Sequence, residues 1–147
     1  MKETKFTHHQ RALELPKILD MLAREAPCED CAELARALTP SCSLAQVEHL
    51  LHQTQDAHML IGRFGSPSFG GLKNLANAMA RANAGGALSM RELLDVSENL
   101  RVMRSLTEWK AHCEGVTTCL DDLFGAIFPN KYLETRINSC ILSEEEM

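Results

Sequence analysis

The sequence predicts an all-α protein of about six to seven helices, and three observations carry that prediction. Apolar residues recur at helical spacing through nearly the whole chain. No stretch alternates apolar and polar residues between turn signals, as a strand ladder requires. Aromatics are only 5% of the residues, so a core must be assembled mainly from Leu, Ala, Met, Ile and Val. At 147 residues the chain is long enough for one compact domain. The expected organisation is a polar leader over 1–12 and a single helical domain over 13–147.

The elements follow from the breaks. Pro16 suits a first helical turn, and Leu15, Ile18, Leu19, Leu22 and Ala26 then share a face that Pro27 closes. A short helix carries Cys31, Leu34, Ala35 and Leu38 and stops at Thr39-Pro40. Ser43 and Gln46 have the spacing of a capping box. The helix they open is expected to bury Val47, Leu50, Leu51, Thr54, His58 and Ile61 and to end near Gly62. The loop Arg63–Gly71, RFGSPSFGG, leads into a helix with Leu72, Leu75, Ala76 and Met79 inward, broken at Gly85-Gly86. Ser89 and Glu92 form a second capping-box pair. They open the longest helix, roughly residues 90–112, with Leu93, Val96, Leu100, Met103 and Leu106 in rhythm. Leu120, Leu123 and Phe124 predict a brief helix, Ile127-Phe128-Pro129 a turn, and Tyr132 to Ile141 a last helix. The terminal Ser-Glu-Glu-Glu-Met is no helix stop signal, which predicts that the chain was cut from something longer.

Composition narrows the function. With 15 basic and 20 acidic residues the formal charge is −5, against a module that grips nucleic acid by bulk charge. No apolar run reaches a membrane span, and Met1 to Gln10 lack the apolar centre of a secretion signal. The expectation is a cytoplasmic protein without a membrane role. Its six cysteines, at 28, 31, 42, 113, 119 and 140, are unevenly placed and lie in or beside helical segments. They read as reduced thiols, mostly small core residues.

Each candidate site has a plainer reading beside it. Cys28-x-x-Cys31 with Cys42, His49 or His52 would offer a tetrahedral zinc set, His49 and His52 being three apart on one helix, but Cys31 lies on the apolar stripe of its helix and no second Cys-x-x-Cys exists. A thioredoxin-like role would need a strand before the pair, and none is visible. Gly65-Ser66-Pro67-Ser68-Phe69-Gly70 approaches P-loop spacing. It lacks the Lys directly after the second glycine, because Gly71-Leu72 intervenes before Lys73. His58 reads as a core histidine, and His8 and His9 as solvated. Arg101 and Arg104 would touch a phosphate, but Glu98 and Glu108 beside them make a mixed-charge face. Trp109 reads as a core or interface anchor, and Asp121-Asp122 as a helix start. No nucleophile, base and orienting partner can be grouped, so no catalytic, cofactor-binding or metal residues are assigned.

Four stretches, in order, resemble one family. Leu13-Glu14-Leu15-Pro16-Lys17-Ile18-Leu19 and Ala35-Arg36-Ala37-Leu38-Thr39-Pro40 resemble the N-terminal opening of the second, recombination-suppressing branch of bacterial MutS-like proteins. Pro67 with Gly70-Gly71-Leu72, and Gly85-Gly86-Ala87-Leu88-Ser89 with Glu92-Leu93-Leu94, resemble its next two blocks. The similarity runs from about Leu13 to Leu106. Cys28, Cys31 and Cys42 are not features of that family.

The resemblance implies a helical core domain from a larger, dimeric parent with long lever helices, a P-loop ATPase domain and a C-terminal nuclease domain. It implies ATP and Mg²⁺ as cofactors of the parent. The implied partners are branched or mismatched DNA and, in ribosome rescue, stalled ribosomes and their rRNA. The segment itself would be non-catalytic. The residues alone also allow a free-standing helical adaptor that docks a partner.

Overall fold

The structure is a computed structural model that describes residues 5–141. Among these residues there are eight helices and no strand. The expectation for the terminal Ser-Glu-Glu-Glu-Met lies outside them, as does the side chain of His8. The contacts divide the chain into two compact units, residues 1–40 and 41–147.

In the first unit, helix α1 spans Lys5–Ala12, so the polar leader is helical from Lys5. Helix α2 (Leu15–Arg24) begins with Pro in its first turn, and Glu14 before it takes a left-handed backbone (φ 57°). Helix α3 (Glu29–Arg36) packs along α2 through small residues only: Ala23, Ala32 and Ala35 form the core, with Ala26 against it. The expected faces are therefore corrected. Leu15 and Leu19 are half-buried, but Ile18, Leu22, Leu34 and Leu38 point to solvent. Alanine seams let two helices approach closely, and the large side chains are left outside.

In the second unit, helix α4 (Leu44–Phe64) starts at Ser43, whose hydroxyl accepts the Gln46 N–H. Only half of the expected capping box closes, because the Gln46 side chain accepts from the Ser41 hydroxyl at 2.7 Å instead. The expected stripe on α4 is also corrected. Leu50, Leu51, Thr54, His58 and Ile61 are exposed and Val47 half-buried, while Gln53, Asp56, Ala57, Leu60 and Phe64 turn inward. Asp56 sits on the packed side because its carboxylate accepts the Cys119 N–H, a bond that apolar periodicity does not register.

Helix α5 (Ala76–Asn83) buries Ala78 rather than Ala76 or Met79. Helix α6 (Met90–His112) has the expected bounds and a complete capping box between Ser89 and Glu92. It is the spine of the unit: Val102 and Leu106 are buried, Leu93, Val96, Leu100 and Met103 half-buried. Helix α7 (Asp121–Gly125) and helix α8 (Lys131–Cys140) both pack on α6. Of the six cysteines only Cys113 is buried, so the thiols are not mainly core residues. Cys28 and Cys31 are half-buried and Cys42, Cys119 and Cys140 exposed.

Candidate functional site: a clamped loop and an apolar cleft

A buried side chain of α6 bonds the segment that follows the glycine-rich loop. Asn99, buried on α6, accepts the Lys73 N–H through Oδ1 and donates through Nδ2 to the Lys73 carbonyl, both at 2.9 Å. One amide thus replaces a full backbone pair, which a helix cannot otherwise offer a passing chain. Two positions earlier, Gly71 has φ +97°, and a Cβ there would run into the Glu98 carboxylate. The positive φ favours glycine, whereas the Glu98 side chain could move aside for a Cβ. The Glu98 carboxylate is fixed by Arg101, at 2.6 and 2.9 Å, and that bonding holds it below its ordinary range.

This arrangement does not fit a nucleotide. The Lys73 amide, which a phosphate cradle would present, is already used by Asn99, and the loop leads into α5 without a preceding strand. The resemblance to P-loop spacing is a feature of the sequence only.

Beside the loop lies an apolar cleft of about 320 Å³, framed by Leu60 on α4, Phe69 on the loop, Leu106 and Trp109 on α6, and Leu120 and Phe124 at α7. The Trp109 and Phe124 rings sit 5.9 Å apart at 37°. Trp109 is thus the anchor the sequence suggested. Its indole N–H is buried and finds no hydrogen-bond acceptor among the described residues. Its lining among the described residues is apolar, so the cleft can hold a hydrophobic body.

Ion pairs around it hold the elements in place. Arg104 grips Glu134 of α8 through two nitrogens at 2.9 and 3.1 Å and reaches Glu108 at 3.2 Å. The Glu134 carboxylate is held low by the Arg104 hydrogen bonds, and Arg104 is pushed above its ordinary value by the same contacts. Arg101 and Arg104 are therefore engaged by carboxylates on this face. Asp56 accepts the Cys119 N–H at 2.8 Å, tying α4 to the segment before α7. Asp121 receives Lys110 and Thr118, both at 2.7 Å, and is lowered by them, while Asp122 is exposed. Neither the Asn99 clamp nor the Asp56 tie was anticipated. Both are polar residues at inward helical positions, and such misplacement in an apolar pattern was the available signal.

Among the described residues no three His, Cys, Asp or Glu side chains group as metal ligands. His49 and His52 are exposed on α4, and Cys28 and Cys31 form a pair at the start of α3. Among the same residues no helix is long and apolar enough to cross a membrane.

Comparison with known proteins finds relatives for nearly the whole chain. It is 34% identical over 140 residues to endonuclease MutS2 of Acetivibrio thermocellus and 35% identical over 139 residues to that of Ruminiclostridium cellulolyticum. The protein of the same name from Agathobacter rectalis is 33% identical over 139 residues. Each match takes in 93% of this chain but only 18% of the relative, so the chain spans under a fifth of their length. No protein-family model and no solved structure matches it. The chain is homologous to one segment of the MutS2 endonucleases.

Proposed function

We propose that this chain is a helical scaffold segment of a MutS2-like protein, equivalent to a MutS core domain and without chemistry of its own. The observation that carries the reading is the lopsided coverage: the similarity takes in 93% of the chain and only 18% of the relative. The exposed apolar residues support it. Leu44, Leu50 and Leu51 on α4 are large apolar residues left exposed, as expected of a piece whose neighbours lie elsewhere in a longer protein.

In this reading ATP with Mg²⁺, DNA cleavage and dimerisation belong to the parent protein. The partners are branched or mismatched DNA and, in ribosome rescue, rRNA, all engaged through other domains. The part played here is mechanical. In the second unit, α6 is locked to α8 by Arg104–Glu134 and to the segment after the glycine loop by Asn99, so motion imposed on one end is passed on as rigid-body motion.

The test is biochemical and genetic. The purified chain is expected to turn over no ATP and cut no DNA. Any binding to a branched duplex should be weak and fall steeply between about 50 and about 200 mM salt. Nanomolar binding at physiological salt would overturn the scaffold reading. Sequencing the natural gene past codon 147 should reveal an open frame with Gly-x-x-x-x-Gly-Lys-Ser/Thr. A stop codon there would favour a free-standing adaptor instead.

A further inference from the structure

Helices α3, α4, α6 and α8 begin with the same geometry. The residue before the helix and the third residue within it face each other across the first turn. At α6 this brings Ser89 to Glu92, and at α4 Ser43 to the Gln46 amide. At α3 the two positions are Cys28 and Cys31, and their Sγ atoms are 3.3 Å apart in hydrogen-bonding contact. Both thiols are half-buried, so a small reagent reaches them.

We propose that Cys28 and Cys31 are a redox-active dithiol that closes to an intramolecular disulfide by exchange with a glutathione-class disulfide. Helix geometry, rather than a thioredoxin-like strand, is what brings the sulfurs together. Cys28 precedes α3 as its N-cap and makes no side-chain hydrogen bond to the helix, so its sulfur is not tied into the capping turn. The Cys31 thiol is held above its ordinary value by its hydrogen bond with Cys28, then by burial. Cys28 is therefore the first nucleophile. Of the two acidic residues in the turn, Glu29 is taken up by Arg36 at 3.1 Å.

The exchange balances in two steps. The Cys28 thiolate attacks one sulfur of the small disulfide, forming a mixed disulfide and expelling one thiolate, which takes up a proton. Cys31 then loses its proton to solvent and attacks Cys28 Sγ, expelling the second thiolate. Two protein thiols are oxidised and one external disulfide is reduced to two thiols.

Tryptic cleavage after Arg24 and Arg36 releases a peptide, 25–36, that contains both residues and no other cysteine. The purified chain is equilibrated in graded mixtures of reduced and oxidised glutathione, alkylated, digested and weighed. The peptide is expected to lose two hydrogens and resist alkylation at a proportion of oxidised glutathione about tenfold below that which modifies exposed Cys42. In urea that advantage should shrink, because the helix that pairs the sulfurs is gone. In Cys28→Ser, Cys31 should be alkylated or carry glutathione instead. A doubly alkylated wild-type peptide where Cys42 is already modified would overturn the proposal, as would a lasting glutathione adduct on either thiol. Both readings come from the wild-type chain and need no variant to fold.

Discussion

The two units of this chain solve the same packing problem with different materials. The first joins α2 to α3 through alanines and leaves Ile18, Met21, Leu22 and Leu34 outside, with Leu34 70% exposed. The second buries Leu60 and Val102 to 1% exposure and adds buried polar residues, Ser97, Asn99 and Glu134, each with partners. An alanine seam gains little from burial, since apolar stabilisation follows area at roughly 25 cal/mol per Å². A leucine-and-valine core reinforced by satisfied polar bonds gains much more and fixes one arrangement. The second unit should therefore be the stable body and the first the compliant one.

Leu60→Ala should break that comparison most. The side chain is fully buried beside the cleft, and its truncation leaves a cavity costing about 2–5 kcal/mol. The chain's one tryptophan, Trp109, lies in the second unit, so its fluorescence follows that unit alone in a urea titration. A midpoint unchanged from wild type would mean that the second unit does not depend on this core.

Asn99→Ala comes next. It strips the Lys73 N–H and carbonyl of their partner, and since Lys73 is exposed, water recovers part of the loss. A cost of about 1–2 kcal/mol is expected, with faster tryptic cleavage after Lys73. Intact resistance at Lys73 would show that the loop is held by something other than the amide.

These two variants also mark what was legible in the sequence. Leu60 did not belong to the expected α4 stripe, because that stripe was chosen for apolar content and the packed face contains Gln53 and Asp56. The helices themselves were readable wherever Pro, Gly or a capping residue marks an end, as at Pro16, Ser43, Ser89 and Gly115. Which side of each helix is covered depends on neighbours, and neither α2 nor α4 names its neighbours in its own residues. The Asn99 clamp depends on a loop 26 residues away in the chain, so no local pattern contains it. The family resemblance was readable because it rests on ordered short motifs, which survive whatever the helices pack against.

Acid should affect the second unit through its carboxylates. Asp56, Glu92, Glu98, Asp121 and Glu134 all sit below their ordinary range. The first cause in each is a hydrogen bond, from Cys119, Ser89, Arg101, Lys110 and Arg104 respectively. A native value below the unfolded one means that the unfolded chain binds protons first. The stabilisation is thus complete above the unfolded values, near about pH 4, and is lost as pH falls through the native ones. The urea midpoint read from Trp109 should hold steady from neutrality to about pH 5 and then decline. Asp56, Glu92, Glu98 and Asp121 are half-buried and Glu134 is buried, so added salt should weaken the effect only in part. A midpoint that rose on acidification would contradict the assignment of these bonds.

The smallest effect should come from the first unit's outer face. Leu34 is a large apolar residue on α3, yet it is mostly exposed and lies outside the Ala23–Ala32–Ala35 seam. Leucine and glutamine have similar helix propensities, so Leu34→Gln removes apolar surface without disturbing the helix. Its effect on unfolding of the isolated chain should stay within about 0.5 kcal/mol, as read from the loss of helical circular dichroism. Within a longer MutS2-like protein the same substitution should cost clearly more if that face is covered there. Equal small effects in both settings would leave the outer face of α3 as bare surface and restrict the scaffold role to the second unit.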